Sequence, residues 1–223
     1  MVTNVKVPTW LAGYLPGSNK TLEQIEDAVR QAEKSTAAEI VPMVVRGSTV
    51  TGHVTPVLIL LLLIIYLLLG GPRLLNQLGT WSLLPHFVTL ALLFLFAWFA
   101  GRAPAVQRRL TPAADIQQQV MRRAAVEFYE AGLNNTVEAT GILLFVSLAE
   151  RRAVVLADRT IAAKLPPETW QEVVNLLIQG MRRGNLGQAF IDAIRRTSEL
   201  ATPLFPPRPN DTDELSDALV IKD

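Results

Sequence analysis

Two nearly unbroken apolar runs constrain this chain more than any other feature. Val54–Gly70 (VTPVLILLLLIIYLLLG) covers 17 positions and Leu83–Gly101 (LLPHFVTLALLFLFAWFAG) covers 19, with Arg73 the single charged residue between Val54 and Gly101. A helix rises about 1.5 Å per residue, so each run approaches the roughly 20 residues that cross hydrocarbon. A pair of buried core helices is the competing reading, and the lack of a polar face on either run weighs against a surface-packed amphipathic pair. The runs are read as a transmembrane hairpin at 54–101, its first run stopped by Gly70, Gly71 and Pro72. Only 18% of the 223 residues are charged, against about 25% in an ordinary soluble domain. The uneven apolar excess excludes a purely soluble protein, and the remaining charge excludes a polytopic transporter.

Basic residues near the hairpin ends predict its orientation. The outer flanks carry Arg46, Arg102, Arg108 and Arg109, whereas the Gly71–Ser82 connection carries only Arg73. That bias places both flanks in the cytoplasm of a bacterial inner (plasma) membrane. Trp81 and Trp98 stand near opposite ends of the second run, where aromatic belts occur. Met1–Gly17 lacks the apolar stretch of a secretory signal. Residues 1–50 and 103–202 then lie on one side and can form the two parts of one soluble domain.

Their patterning is α/β. Thr21–Ser35 puts Leu22, Ile25, Ala28, Val29 and Ala32 at helical spacing, and Ala38–Arg46 is a short β-branched strand. Pro42 lacks an N–H, which predicts an edge position or a bulge for that strand. Ala113–Leu133 is a second amphipathic helix ending near Gly132. Gly141–Leu148 and Ala153–Ala157 flank a short polar connection and predict a β-hairpin. Pro166–Arg183 and Leu186–Ala201 are further helices separated at Gly184–Asn185, and residues 203–223 are a proline-rich, then acidic, extended tail. The expected fold is α/β, a small central mixed sheet sandwiched between helices, with the two-helix hairpin inserted after the first strand.

Four stretches of this pattern resemble the TPM domain family, known from thylakoid and photosystem-repair proteins. They are Thr36–Val45 (TAAEIVPMVV), Thr140–Arg159 (TGILLFVSLAERRAVVLADR), Trp170–Leu200 with its GNLGQAF turn, and the terminal DELSD at Asp213–Asp217. The chain is most similar to the bacterial branch in which a membrane hairpin splits the domain. The resemblance implies a small sheet between helices and roles in partner binding or assembly, with phosphatase-like activity and metal binding in some members. The chain departs from the family pattern at Ser216, where proline is expected, and in lacking the signal peptide of exported members.

Residue types narrow the chemistry. The chain has no cysteine, which removes disulfides, thiolate metal sites and a cysteine nucleophile. Its histidines, His53 and His86, each lie near the start of a run and fall at opposite ends of an antiparallel pair, so they cannot share a metal ion. Carboxylates remain: Glu39 opening the first strand, Glu150 in the hairpin turn, and Asp158 closing the third strand. Glu39 and Asp158 can meet at one sheet edge, where the resemblance puts a cleft, and with Glu150 they are the candidate ligands for Ca2+ or Mg2+. The competing reading is an exposed ion pair at the strand ends, since Arg151, Arg152 and Arg159 adjoin them.

Arginine outnumbers lysine 16 to 5, with five adjacent arginine pairs. Arg108 and Arg109, with Arg182 and Arg183 in the GMRRGNLG segment, are candidates for anionic headgroups or phosphate. That segment lacks the GK[ST] ending of a P-loop. No aromatic interleaving accompanies the pairs, and the net charge is +1, so nucleic acid is not an expected partner. The leading expectation is a membrane-anchored adaptor in membrane-protein assembly or quality control, without cofactor. Its partners are the lipid bilayer and a membrane protein, and Ala91, Ala97 and Gly101 also permit self-association. The alternative is a divalent-metal-dependent, phosphatase-like hydrolase.

Overall fold

Strand β1 (Glu39–Val45) is buried at all seven positions, as a β-branched run must be when it is covered on both faces. The computed structural model describes residues 7–49, 52–73, 84–136, 138–208 and 215–223; Trp81, the 74–83 connection, Asp213 and Glu214 lie outside them. β1 is joined in one sheet by β2 (Gly141–Ser147), β3 (Arg152–Ala157) and β4 (Val220–Lys222), in the order β3-β2-β1-β4. β1 runs parallel to β2 and to β4, and β2 runs antiparallel to β3. The sheet is therefore mixed, and its hairpin is the one that the two apolar runs around Ala149–Arg152 predict.

The chain divides into two compact units, Met1–Ser48 with Gln117–Asp223, and Thr49–Ile116. In the first unit the even-numbered side chains of β1 and β2, among them Ile40, Val44, Ile142 and Leu144, form one core with three helices. These are α2 (Ser18–Glu33), which follows a single turn α1 (Thr9–Ala12), together with Gln171–Arg183 and Leu186–Ala201. Ile25 and Val29 come from α2, Val173 and Leu177 from the third-to-last element, and Phe190 and Ile194 from the last helix. On the other face Leu133 covers Gly141, where an added Cβ would stand 2.5 Å from the Leu133 carbonyl oxygen.

Two expectations are corrected here. The missing N–H of Pro42 predicts an edge or a bulge, yet β1 is an interior strand. The Glu39 N–H donates towards β2, to Thr140 O, and the Arg46 N–H donates towards β4, to Lys222 O. Alternation between them turns the Pro42 nitrogen to the β4 side. β4 begins its pairing only at Met43, so the missing donor falls where no strand needs it. The second correction is the tail: Val220–Lys222 is a strand, since β1 has an open flank that three residues can close.

In the second unit, α3 (Val54–Leu68) and α4 (Leu84–Ala100) occupy the two apolar runs, followed by α5 (Pro104–Leu110). At 15 and 17 residues they are about 22 and 26 Å long. Gly70, at φ 69°, follows the end of α3. Among the described residues, no helix is long and apolar enough to cross a membrane; where the sequence predicts two full spans, the described helices are shorter. They are nonetheless apolar on their exposed sides: Leu68 is 81% exposed and Phe99 71%. The Tyr66 hydroxyl and His86 Nδ1 are 3.2 Å apart, which aligns the end of α3 with the start of α4. His53 precedes α3, 13 residues before Tyr66, so the histidines stand about 20 Å apart along the pair.

The remaining helices are α6 (Ala113–Glu130), α7 (Arg159–Ala162), α8 (Gln171–Arg183) and α9 (Leu186–Ala201). Val120, Ala124 and Phe128 form the buried stripe of α6. The GNLGQAF turn joins α8 to α9 at close quarters. Gly184 takes the left-handed conformation, φ 68°, at the α8 C-cap, and the Asn185 N–H returns to Gly180 O. A Cβ on Gly180 would lie 2.1 Å from the Ala189 Cβ, and one on Gly187 2.1 Å from Thr21 Cγ2. Gly180→Ala is therefore expected to destabilise the protein by about 1–3 kcal/mol through overpacking. Gly13→Ala, which meets nothing within 4 Å, is expected to change stability little. Urea unfolding midpoints of the two variants test the difference.

Candidate functional site

Register alone brings two of the predicted carboxylates to one end of the sheet. Glu39 pairs with Gly141 on β2, and the Asp158 N–H donates to Gly141 O at 2.9 Å. Glu39, Gly141 and Asp158 thus form a row across three strands, and cross-strand neighbours share a face. With strands about 4.8 Å apart, the two acidic residues have Cα atoms about 10 Å apart. Leu133 sits over the glycine between them. Asp158 is the N-cap of α7: its Oδ1 accepts the Arg159 N–H at 2.7 Å, while its Oδ2 is buried and accepts no hydrogen bond among the described residues.

Glu150 does not join this row. It lies beyond β2, where its carboxylate accepts the Ser147 hydroxyl and, at 3.2 Å, the Ser48 N–H. The Ser48 and Ser147 hydroxyls are themselves 2.8 Å apart. Six residues of β2 separate this cluster from Gly141, which is about 20 Å. Glu150 therefore ties the ends of β1 and β2 together, and three-way coordination with Glu39 and Asp158 is sterically impossible.

Two acids that the sequence reading passed over join the Glu39 end. Glu33, the last residue of α2, accepts the Ile40 N–H at 3.0 Å. This is the same open flank of β1 on which Pro42 has no donor. Burial pushes the Glu33 carboxyl up to about 9, and the charges of Glu39 and Asp217 add to the shift. At neutral pH it keeps its proton and donates it to Asp217, the last residue of DELSD. Arg30 on α2 holds Asp217 from the other side, Nε to Oδ2, at 3.3 Å. The tail is thereby fastened beside β1 three residues before β4 begins. One signal was legible: an acid in the last turn of a helix faces the negative end of its dipole, which marks Glu33 as unusual.

At its far end the tail has a second anchorage. Lys222 pairs with Glu130 at 2.8 Å and with Glu127, which is almost fully buried and also bound by Arg123 Nε at 2.7 Å. These carboxylates hold the Lys222 ammonium above its ordinary range.

The fit of this end to a divalent cation is limited. Ca2+ takes six to eight oxygens, whereas Glu39 and Asp158 are the only members of the predicted set that share a face. Among the described residues no group of three His, Asp or Glu side chains could hold a metal ion. The arginine candidates are spread over the two units. Arg109 is exposed on α5, which also carries Arg108. Arg182 and Arg183 are exposed in the last turn of α8, where positive charge complements the helix dipole. A groove of about 690 Å3 runs between α2 and α9, lined by Ala28, Ala32, Ser35, Ile191, Arg195 and Ser198 among others.

The Glu33 proton gives this end a pH signature. The folded state keeps it to about pH 9, the unfolded chain only to about its ordinary value of 4.5. Between these values the folded state binds more protons, so this contribution to stability is complete below 4.5 and is lost as pH rises through 9. Glu33→Gln is expected to flatten the stability profile between pH 5 and 9 relative to the parent, as measured by urea unfolding across that range. An unchanged slope would contradict a protonated Glu33.

Comparison with known proteins adds two findings. The family model of the TPM domain matches residues 106–200, a stretch that contains β2, β3, α8 and all but the last residue of α9 but neither β1 nor β4. The fold is similar to the NMR structure of the BA42 protein from the psychrophilic bacterium Bizionia argentinensis, with a TM-score of 0.57 and 18% identity, over 92% of this chain and 94% of that one. No curated protein sequence matches the chain.

Proposed function

We propose that this chain is a TPM-type module held at the bacterial inner membrane by the apolar pair α3 and α4, with its sheet-bearing unit in the cytoplasm. There it serves as an adaptor in the assembly or quality control of membrane proteins. The observation that carries this reading is the exposed apolar surface of the pair. Leu60, Leu68, Phe87, Leu92, Phe96 and Phe99 all face outward, a patch far larger than the isolated apolar residues of a monomer surface. Hydrocarbon satisfies such a surface, and the apolar runs at 54–70 and 83–101 of the sequence extend past the described helices by two residues each. Arg108, Arg109, Arg182 and Arg183 are the side chains offered to anionic headgroups or phosphate.

In this reading the TPM-type unit works by docking, and the α2–α9 groove is the concave surface it offers to a membrane-protein partner. Three outcomes follow. The chain is expected to remain in the membrane pellet after alkaline carbonate extraction, and a reporter fused after Asp223 to be cytoplasmic. Purification in mild detergent is expected to recover a reproducible membrane-protein partner. Release by carbonate, or a periplasmic reporter, overturns the anchoring or the orientation respectively.

A second reading, a divalent-metal-dependent phosphatase-like hydrolase, draws support from one atom: the buried Asp158 Oδ2, which accepts no hydrogen bond among the described residues. Glu39 on the same row would be its partner ligand. Calorimetric titration with Ca2+, Mg2+ and Mn2+ tests it. The reading requires saturable binding that Asp158→Ala abolishes and Glu150→Gln, about 20 Å away along β2, leaves intact.

A further inference from the structure

The segment from Gly47 to Ala114 contains no acidic residue, and its charged side chains are Arg73, Arg102, Arg108 and Arg109. Three of these four follow the end of α4. There the Arg102 guanidinium lies over the Trp98 ring, 3.9 Å from its centroid, and the Trp98 ring in turn stacks on Phe94 at 6.1 Å. Trp98 is 42% exposed, and Arg102 and Arg109 are exposed. Among the described residues neither arginine is paired with a carboxylate, so both guanidinium groups keep their charge available.

We propose that Trp98, Arg102 and Arg109 form a collar that binds the phosphate groups of anionic phospholipids at one end of the α3–α4 pair. This inference rests on the membrane reading above and deepens it by naming the Trp98–Arg102 stack as the element that selects the lipid. The chemistry follows from the parts. An indole is stable at the level of the headgroups, with its ring against the acyl boundary. Stacking on that ring fixes Arg102 at the same depth without neutralising it. A guanidinium held there presents a planar set of donors that matches phosphate oxygens bidentately. Phosphatidylcholine carries its own ammonium beside the phosphate, whereas phosphatidylglycerol leaves a net negative charge, and the acid-free segment offers nothing to repel it. Charge complementarity therefore selects the anionic lipid.

The test uses the full chain reconstituted into two kinds of vesicle, phosphatidylcholine alone and an equal mixture of phosphatidylcholine and phosphatidylglycerol. Spin-labelled phosphatidylglycerol and phosphatidylcholine report, by electron paramagnetic resonance, which lipid the protein immobilises. The expected result is a preference for phosphatidylglycerol that falls with added salt. Arg102→Gln and Arg109→Gln each lower it, by up to about fivefold at low salt, and Arg102→Lys, which keeps the charge but loses the planar fork, lowers it by less than Arg102→Gln. Trp98→Leu lowers it with both arginines present. Equal immobilisation of the two lipids by a chain that inserts in both vesicles overturns the collar alone. Failure to insert in either vesicle overturns the membrane reading and the collar with it. Circular dichroism of each variant shows whether it has folded, and the paired Arg102→Lys and Arg102→Gln variants separate loss of charge from loss of structure.

Discussion

The parallel pairing of β1 with β2 sets Glu39 opposite Gly141, and the other elements of the first unit depend on it. Two segments a hundred residues apart in the chain must meet in register before either has a covered face. Loop closure over that distance costs only slowly more than over a short one, and the intervening Thr49–Ile116 folds as a compact unit. Once the pair forms, its even-numbered side chains supply the surface for α2, α8 and α9. The same pairing places Glu39, Gly141 and Asp158 in one row.

The other flank of β1 shows how a strand can be interior and still contain proline. Along that flank the strand presents Ile40, Pro42, Val44 and Arg46. The first is satisfied by the Glu33 carboxyl, the second has no donor, and β4 takes up the pairing from Met43 onward. The tail is held at both ends of this short strand by side chains: Asp217 by Glu33 and Arg30 before it, Lys222 by Glu127 and Glu130 at its end. A three-residue strand contributes few backbone hydrogen bonds, so these polar anchors carry much of the attachment. One of them depends on a carboxyl that stays protonated because burial makes its charge costly.

Much of the fold was legible because its signals are local. The periodicity of Thr21–Ser35 and Leu186–Ala201, the alternation broken at Ala149–Arg152, and glycine at Gly184 each describe a structure that neighbouring residues decide among themselves. The two apolar runs were equally legible, and they became helices. Their described lengths, 15 and 17 residues, are shorter than the runs, because the apolar content of a run does not fix where its helix ends. Glu39 and Asp158 were legible as strand-end acids, since a hairpin returns its last residue to the row of its first.

What the sequence by itself determined, then, is the kind of each main element and the segregation of charge: an acid-free, apolar stretch within a chain that elsewhere carries both signs. Tertiary structure alone decided that Glu150 lies at the far end of β2 from Glu39. It also decided that Val220–Lys222 completes the sheet, and that Asp217 comes to lie beside the buried Glu33 carboxyl. Each of these depends on residues far apart in sequence meeting across a flank or an end of β1. No local pattern specifies such a meeting, because its energy comes from desolvation and charge that exist only when the partner is present.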